Sequence, residues 1–486
     1  MRRSIFTAFV LFCTLGASAQ KTAAPAAPKG RNISITLTPI KNAKIYLGSF
    51  YGESMALMDS AILDGNSRGV FKGSTKLTGG IYFVVSPQKT MLFQLLMDNK
   101  QQFSIVADTA LKGREVIMGS PDNDLFKAYS AAMDDKGRRH AQAEQGFVNS
   151  KTKEDSAKYR AEFIKTDKEI KDYWNETIKK NPNSLLAFLL TAMRRPETPA
   201  IPVVNGKPDS TYPYRYVKQH YWDDVLFNDD RLLRTPFFEP KLNEYMKTMV
   251  SPEPDSIIKE VKYFLLSARS GKEIYPYLLT KFTNKYMNPE YMGQDKVFVW
   301  LYENFYAKGD TMLLNPASRK AITERAYSLM ANQIGLPAAP LDLTDTTGRT
   351  ASLYNLQAPF TVVAFWDPNC GHCKEEIPRL DSFYRAKWKG YGVAVYSVDI
   401  YNNNLPEWKR FIGEKNLSGW VHAYETTEAR TAGERAGKIN YRQAYDIQKT
   451  PTIYLLDKDK RIIAKQLSLE QFDDLIETKR KASAKN

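Results

Sequence analysis

The hydrophobic period changes twice along this 486-residue chain, and no single fold accommodates all three patterns. Between Asn32 and Thr109 apolar and polar residues alternate, with Ile33, Ile35 and Leu37 on one side and Ser34, Thr36 and Thr38 on the other. A period of two sends successive side chains to opposite faces of a strand. Similar runs at 44–50, 56–63, 80–85, 91–97 and 103–106 are separated by Asp64-Gly65-Asn66, Gly79-Gly80 and Asp98-Asn99. They predict a small all-β, sandwich-like domain over 31–118.

From Pro121 the period is helical. Ser120-Pro121-Asp122 offers a cap and a first-turn proline, and Tyr159, Phe163, Ile170, Trp174 and Ile178 form an apolar stripe. Further helices are expected at 185–194, 216–227, 239–250, 255–269, 272–286, 294–307 and 316–331, with an exposed loop from Pro196 to Pro213. Residues 119–333 therefore read as a central all-α domain. His140 and His220 stand alone in it and read as packing or surface residues.

From 334 to 486 strand and helix alternate. Phe360–Trp366 is a continuous apolar run, the mark of a strand buried on both faces. A loop and helix follow over 370–384, then a strand at 392–400 and a helix at 405–415. Strands at 452–457 and 461–465 flank the polar turn Lys458-Asp459-Lys460, and 469–479 closes as an amphipathic helix. This predicts an α/β domain with a parallel pair followed by an antiparallel hairpin.

Arg2-Arg3, an apolar stretch from Ile5 to Leu15 and Ala17-Ser18-Ala19 make a secretory signal, with cleavage expected after Ala19 and a linker over 20–30. Cys13 follows Phe12 rather than a small residue, which argues against lipid anchoring. No later apolar run approaches the ~18 residues that cross a bilayer. The expected location is the periplasm or cell envelope, without stable membrane insertion. Lys+Arg 69 against Asp+Glu 54 gives a net charge of +15, but the bases are interleaved with acids, so no nucleic-acid partner is expected.

Three cysteines exclude a disulfide-stapled scaffold, and with Cys13 in the signal only Cys370 and Cys373 remain. Cys370-Gly371-His372-Cys373 falls where the buried strand ends and a helix begins. Helix N-terminal amides stabilise a thiolate in the first turn, so Cys370 can attack a disulfide and Cys373 can resolve the product. His372 is expected to favour that thiolate further. Zinc would need four ligands, and only Cys370, Cys373, His372 and His422 are on offer. Haem attachment would need a histidine where Lys374 stands. No metal and no cofactor beyond the dithiol is expected.

The domain resembles the thioredoxin superfamily, in its exported TlpA/ResA-like branch. The resemblance covers about 145 residues of the chain and rests on several pieces: Gly335, Ala339-Pro340, Leu343, Asp345, Gly348 and Ser352-Leu353; Phe365-Trp366; Pro378; Tyr445-Asp446-Ile447 and Thr450-Pro451-Thr452; Leu455-Leu456-Asp457 and Ile462-Ile463. It implies a thioredoxin fold, a cis Thr450-Pro451 bond with the Thr450 backbone offered to a substrate strand, and Glu376 as a proton acceptor for Cys373. Trp366 and Gly371 belong to the implied active-site loop, with Trp366 part core and part wall. The buried aspartate of cytoplasmic thioredoxins falls at Ala364, and Asp367-Pro368-Asn369 replaces the usual aromatic before the first cysteine. Asp367 also stands where peroxiredoxins need threonine, which disfavours peroxidase activity. The branch implies reduction of protein disulfides and an upstream electron donor at the membrane. The two preceding regions resemble, more loosely, β and helical domains fused to such modules in envelope proteins. Two other readings remain open: an envelope binding protein with a regulatory redox domain, and a metal- or haem-handling redox protein.

Overall fold

The computed structural model describes residues 30–111, 113–311, 314–401 and 405–483; the expected signal over 1–19 and nearly all of the linker lie outside them. The chain divides into two units, Met1–Leu190 and Thr191–Asn486.

The first unit holds β1 (Arg31–Thr38), β2 (Lys44–Tyr51), β3 (Ser54–Ile62), β4 (Arg68–Gly73), β5 (Gly80–Val85), β6 (Met91–Met97), β7 (Gln102–Asp108) and β8 (Val116–Met118). They form two four-stranded sheets, ordered β4-β1-β7-β8 and β3-β2-β5-β6. The alternating apolar residues of both sheets meet in one core, Ile33, Ile35 and Leu37 from β1 against Ile45 and Leu47 from β2 and Tyr82 from β5. That is the sandwich expected from the period of two. β4 and β8 add to the predicted strands. In β4 only Phe71 is fully buried, so its sequence shows no alternation.

α1 (Pro121–Val148) starts on its proline with Asp122 and Asp124 in the first turn, where negative charge suits the helix dipole. Asn123 docks it on β6, accepting from Leu96 N–H and donating to Leu96 O, both at 2.8 Å. α2 (Lys153–Lys180) folds back along α1, and Arg139 bridges to Glu162 at 2.7 Å and Glu169 at 3.0 Å. His140 packs on Phe163 and bonds Thr166 Oγ1 at 3.1 Å, a packing residue as expected. The chain leaves this unit within α3 (Leu185–Met193).

The second unit opens with a two-residue-per-strand hairpin, β9 (Val203–Val204) and β10 (Lys207–Pro208), in the expected exposed loop. Then come α4 (Tyr212–His220), α5 (Phe238–Thr248), α6 (Pro254–Ser267), α7 (Ile274–Met287), α8 (Asp295–Asn304) and α9 (Pro316–Met330). α4 lies earlier than the predicted 216–227 because Pro213 starts it, at a position where a missing N–H is harmless. α7 buries Tyr275, Leu278, Leu279, Phe282 and Tyr286, the i, i+3, i+4, i+7 stripe of a helix packed into a core.

The C-terminal sheet contains β11 (Asp342–Asp345), β12 (Thr350–Ser352), β13 (Phe360–Trp366), β14 (Ala394–Asp399), β15 (Val421–Tyr424), β16 (Thr452–Asp457) and β17 (Ile462–Lys465), in the order β12-β11-β15-β14-β13-β16-β17. β13, β14 and β15 run parallel, while β16 is antiparallel to β13 and to β17. The helices are α10 (Gly371–Phe383), α11 (Leu405–Glu414), α12 (Thr427–Arg435), α13 (Tyr441–Ala444) and α14 (Leu469–Ser483). Both faces of β13 are covered. Val362, Ala364 and Trp366 enter one core with Cys373 and Phe472; Val363 and Phe365 enter the other with Tyr396 and Tyr445. This explains the uninterrupted apolar run and confirms the thioredoxin-like α/β arrangement.

Candidate active site

The site forms where β13 delivers the chain to α10, at the C-terminal edge of the parallel strands, the usual place for an α/β site. Asp367 shapes the connection. Its side chain accepts from Asn369 N–H at 2.8 Å and its carbonyl from Cys370 N–H at 3.2 Å. Asp367-Pro368-Asn369 is thus a tight Asx turn that seats Cys370 as the N-cap of α10.

The two thiols, both free, occupy opposite environments. Cys370 is partly exposed, with Sγ 3.5 Å from Thr450 O. Partial burial pulls its pKa upward, but hydrogen bonding with Thr450 and from the backbone and thiol of Cys373 and the His372 N–H outweighs this, and the pKa lies below an ordinary thiol's. Cys373 is fully buried, and desolvation pushes its thiol up to about 12. The pair therefore splits into an outer thiol that ionises more readily than usual and a buried thiol that stays protonated behind it.

The Thr450-Pro451 bond is cis. Thr450 and Pro451 line a cleft of about 640 Å³ together with His372, Glu376, Leu467 and Leu469. His372 reaches the Cys370 sulfur through its main-chain N–H. Glu376 is ion-paired to Arg379, whose other nitrogen holds Glu470 at 2.5 Å. Gly371 opens α10. Trp366 corrects its expected placement: it is wholly buried, donates its indole N–H to Ser397 Oγ at 2.7 Å, and supports the loop from below rather than walling the cleft. His422 is equally committed to the core, bonding Leu417 O at 2.8 Å between Trp408 and Trp420. Among the described residues, no group of three or more His, Cys, Asp or Glu comes together to hold a metal.

The model of the AhpC/TSA family matches residues 334–465. Over 145 residues the chain is 27% identical to the thiol-disulfide oxidoreductase ResA of Bacillus thuringiensis (strain Al Hakam), covering 30% of this chain and 75% of that protein. The C-terminal domain belongs to the thioredoxin superfamily, in its TlpA/ResA-like branch. The ResA of Bacillus anthracis matches with the same identity and coverage. Among solved structures, a domain of a possible thiol-disulfide isomerase from Cytophaga hutchinsonii is 35% identical over 32% of this chain and 97% of its own, with a TM-score of 0.27. A thioredoxin-like protein from Bacteroides caccae is 19% identical over 58% of this chain and 99% of its own, with a TM-score of 0.44. A domain of unknown function, DUF5106, matches residues 152–323 ahead of the ResA-like domain.

Asp399, Arg325 and the pairing of Arg325 with Asp446, all at or near the ResA-like site, escape sequence reasoning. Asp399 ends β14 beside Trp366, wholly buried; burial and then Asp367 nearby raise its pKa to about 6 against the pull of the Tyr401 N–H. A lone carboxylate closing the run Val393–Ile400 was the available signal. Asp446 and Arg325 form an ion pair at the cleft wall, 121 residues apart in sequence, and no local pattern marks it.

Proposed function

We propose that this chain is an exported, periplasmic thiol–disulfide reductase acting on protein disulfides, with Cys370 as nucleophile and Cys373 as resolver. The observation carrying this reading is the placement of a partly exposed Cys370 at the helix N-cap beside the Thr450 carbonyl, with a fully buried Cys373 three residues on. The pKa directions of the two thiols agree with it. The Cys370 thiolate attacks a substrate sulfur, a Cys370–substrate disulfide forms, and the displaced substrate thiolate takes up a proton. Cys373 then gives up its proton and attacks the Cys370 sulfur. The second substrate thiol leaves, and the two electrons have passed to the substrate as Cys370–Cys373 oxidises. No further cofactor takes part; a dithiol donor, placed at the membrane, restores the pair.

Thr450 supplies a backbone edge beside Cys370 for the substrate chain, in the manner of strand addition. Glu376, at the cleft and paired with Arg379, is the acid–base group assigned to Cys373. Cys370→Ser should abolish reduction of a model disulfide, and Cys373→Ser should accumulate mixed disulfides separable on a non-reducing gel. Undiminished turnover in Cys370→Ser would sink the reading.

A further inference from the structure

The cleft beside Cys370 has a second wall that the ResA-like domain does not supply. Asn288 and Pro289, just after α7, and Arg325 of α9 line it together with the 448–453 segment that carries Thr450 and Pro451. This wall is held in place. The Arg325 guanidinium pairs with Asp446, which is buried in the loop leading to Thr450. It also donates to Met287 O and Asn288 Oδ1, each at 3.3 Å, so one side chain joins α9, the end of α7 and the redox loop. Asn332, two residues past α9, donates to Ala444 O at 3.1 Å and to Ser328 O at 2.6 Å.

The backbone edge at Thr450 therefore lies in a slot that it shares with residues of the helical segment. Its volume, about 640 Å³, is that of a site for a ligand of modest size. Its lining mixes Pro289, Ile453 and Leu467 with Arg325, Glu376 and Lys449 around the Thr450 backbone, which suits an extended main chain carrying both apolar and polar side chains. Asn288 and Pro289 thus stand at the same cleft as the Thr450 backbone, whose carbonyl lies 3.5 Å from the Cys370 sulfur.

We infer that the helical segment sets substrate choice at the redox site: the slot accepts a disulfide carried on an extended, unfolded polypeptide segment and rejects one presented on a folded surface. This rests on the oxidoreductase reading above. The test uses the full chain, recycled with dithiothreitol, and three probes: a ten-residue unstructured peptide bearing a glutathione mixed disulfide, a small folded protein bearing the same mixed disulfide at a surface cysteine, and dithiobis-nitrobenzoate. The wild-type chain should show a kcat/KM for the peptide at least tenfold above that for the folded protein. Asn288→Trp, a change at an exposed position, narrows the slot. It should lower the ratio of peptide to dithiobis-nitrobenzoate kcat/KM at least fivefold, mainly through KM. Equal wild-type kcat/KM for peptide and folded protein, or a ratio within twofold of wild type in Asn288→Trp, would overturn the inference while leaving the oxidoreductase reading intact. A chain inert toward all three probes would overturn that reading, and the inference with it.

Discussion

Lys465 Nζ lies 2.7 Å from Asp295 Oδ2 and 2.5 Å from Asn332 Oδ1, with Lys465 and Asp295 both almost completely buried. The last strand of the redox sheet is thereby fastened to α8 and to the residues after α9. Removing one member of a buried pair strands the other charge, at a cost of about 3–5 kcal/mol. Lys465→Met should lower the urea midpoint of the second unit accordingly. Lys465→Met with Asp295→Leu should recover most of the loss, because no uncompensated charge remains. A double variant as unstable as the single one would contradict this account.

The two thiols should titrate far apart. Cys370 has a lowered pKa, so its thiolate is present below the ordinary thiol range of about 8.5. Its iodoacetamide labelling in Cys373→Ser, read at the Cys370 peptide by mass spectrometry, should reach half its maximum below that pH. Cys373 is held near 12 by burial, so its labelling in Cys370→Ser should stay negligible at pH 9. Comparable labelling of the two at pH 8 would refute the assignment of roles.

Asp399 makes stability depend on pH. Its folded pKa is raised to about 6, so between its unfolded value near 3.9 and 6 the folded state binds more protons than the unfolded one. The stability this group contributes is fully present below about 3.9 and is lost as pH rises through 6. Asp399→Asn should therefore stabilise the protein at pH 7 by up to about 3 kcal/mol. The gain should shrink toward zero near pH 4. Paired denaturant titrations at pH 4 and pH 7 measure it, and an equal effect at both values would exclude ionisation as the cause.

Gly48 faces Phe83 across β2 and β5, and a Cβ there would sit 2.2 Å from the Phe83 ring, which is itself buried. Gly48→Ala should cost about 1–3 kcal/mol despite alanine's lower chain entropy in the unfolded state, since overpacking outweighs that gain. A raised thermal midpoint would show that the strand yields instead.

The sequence alone determined whatever depends on neighbours within a few residues. The β sandwich, the helical region, the buried strand Phe360–Trp366 and the helix opening at Gly371 all follow from hydrophobic period and local punctuation, and so does the reactive placement of Cys370. Its limits are equally physical. β4, a strand with one buried apolar residue, and β15, a parallel strand of only four residues, carry too little periodic signal to stand out. Trp366 reads equally well as wall or core until Ser397 is seen to take its N–H. Only the tertiary structure decided which helical residues share the cleft with Thr450, because Arg325 meets Asp446 and Asp295 meets Lys465 across separations of 121 and 170 residues. Such contacts depend on chain closure and on the low dielectric of a buried interface, and neither leaves a mark in a local window of sequence.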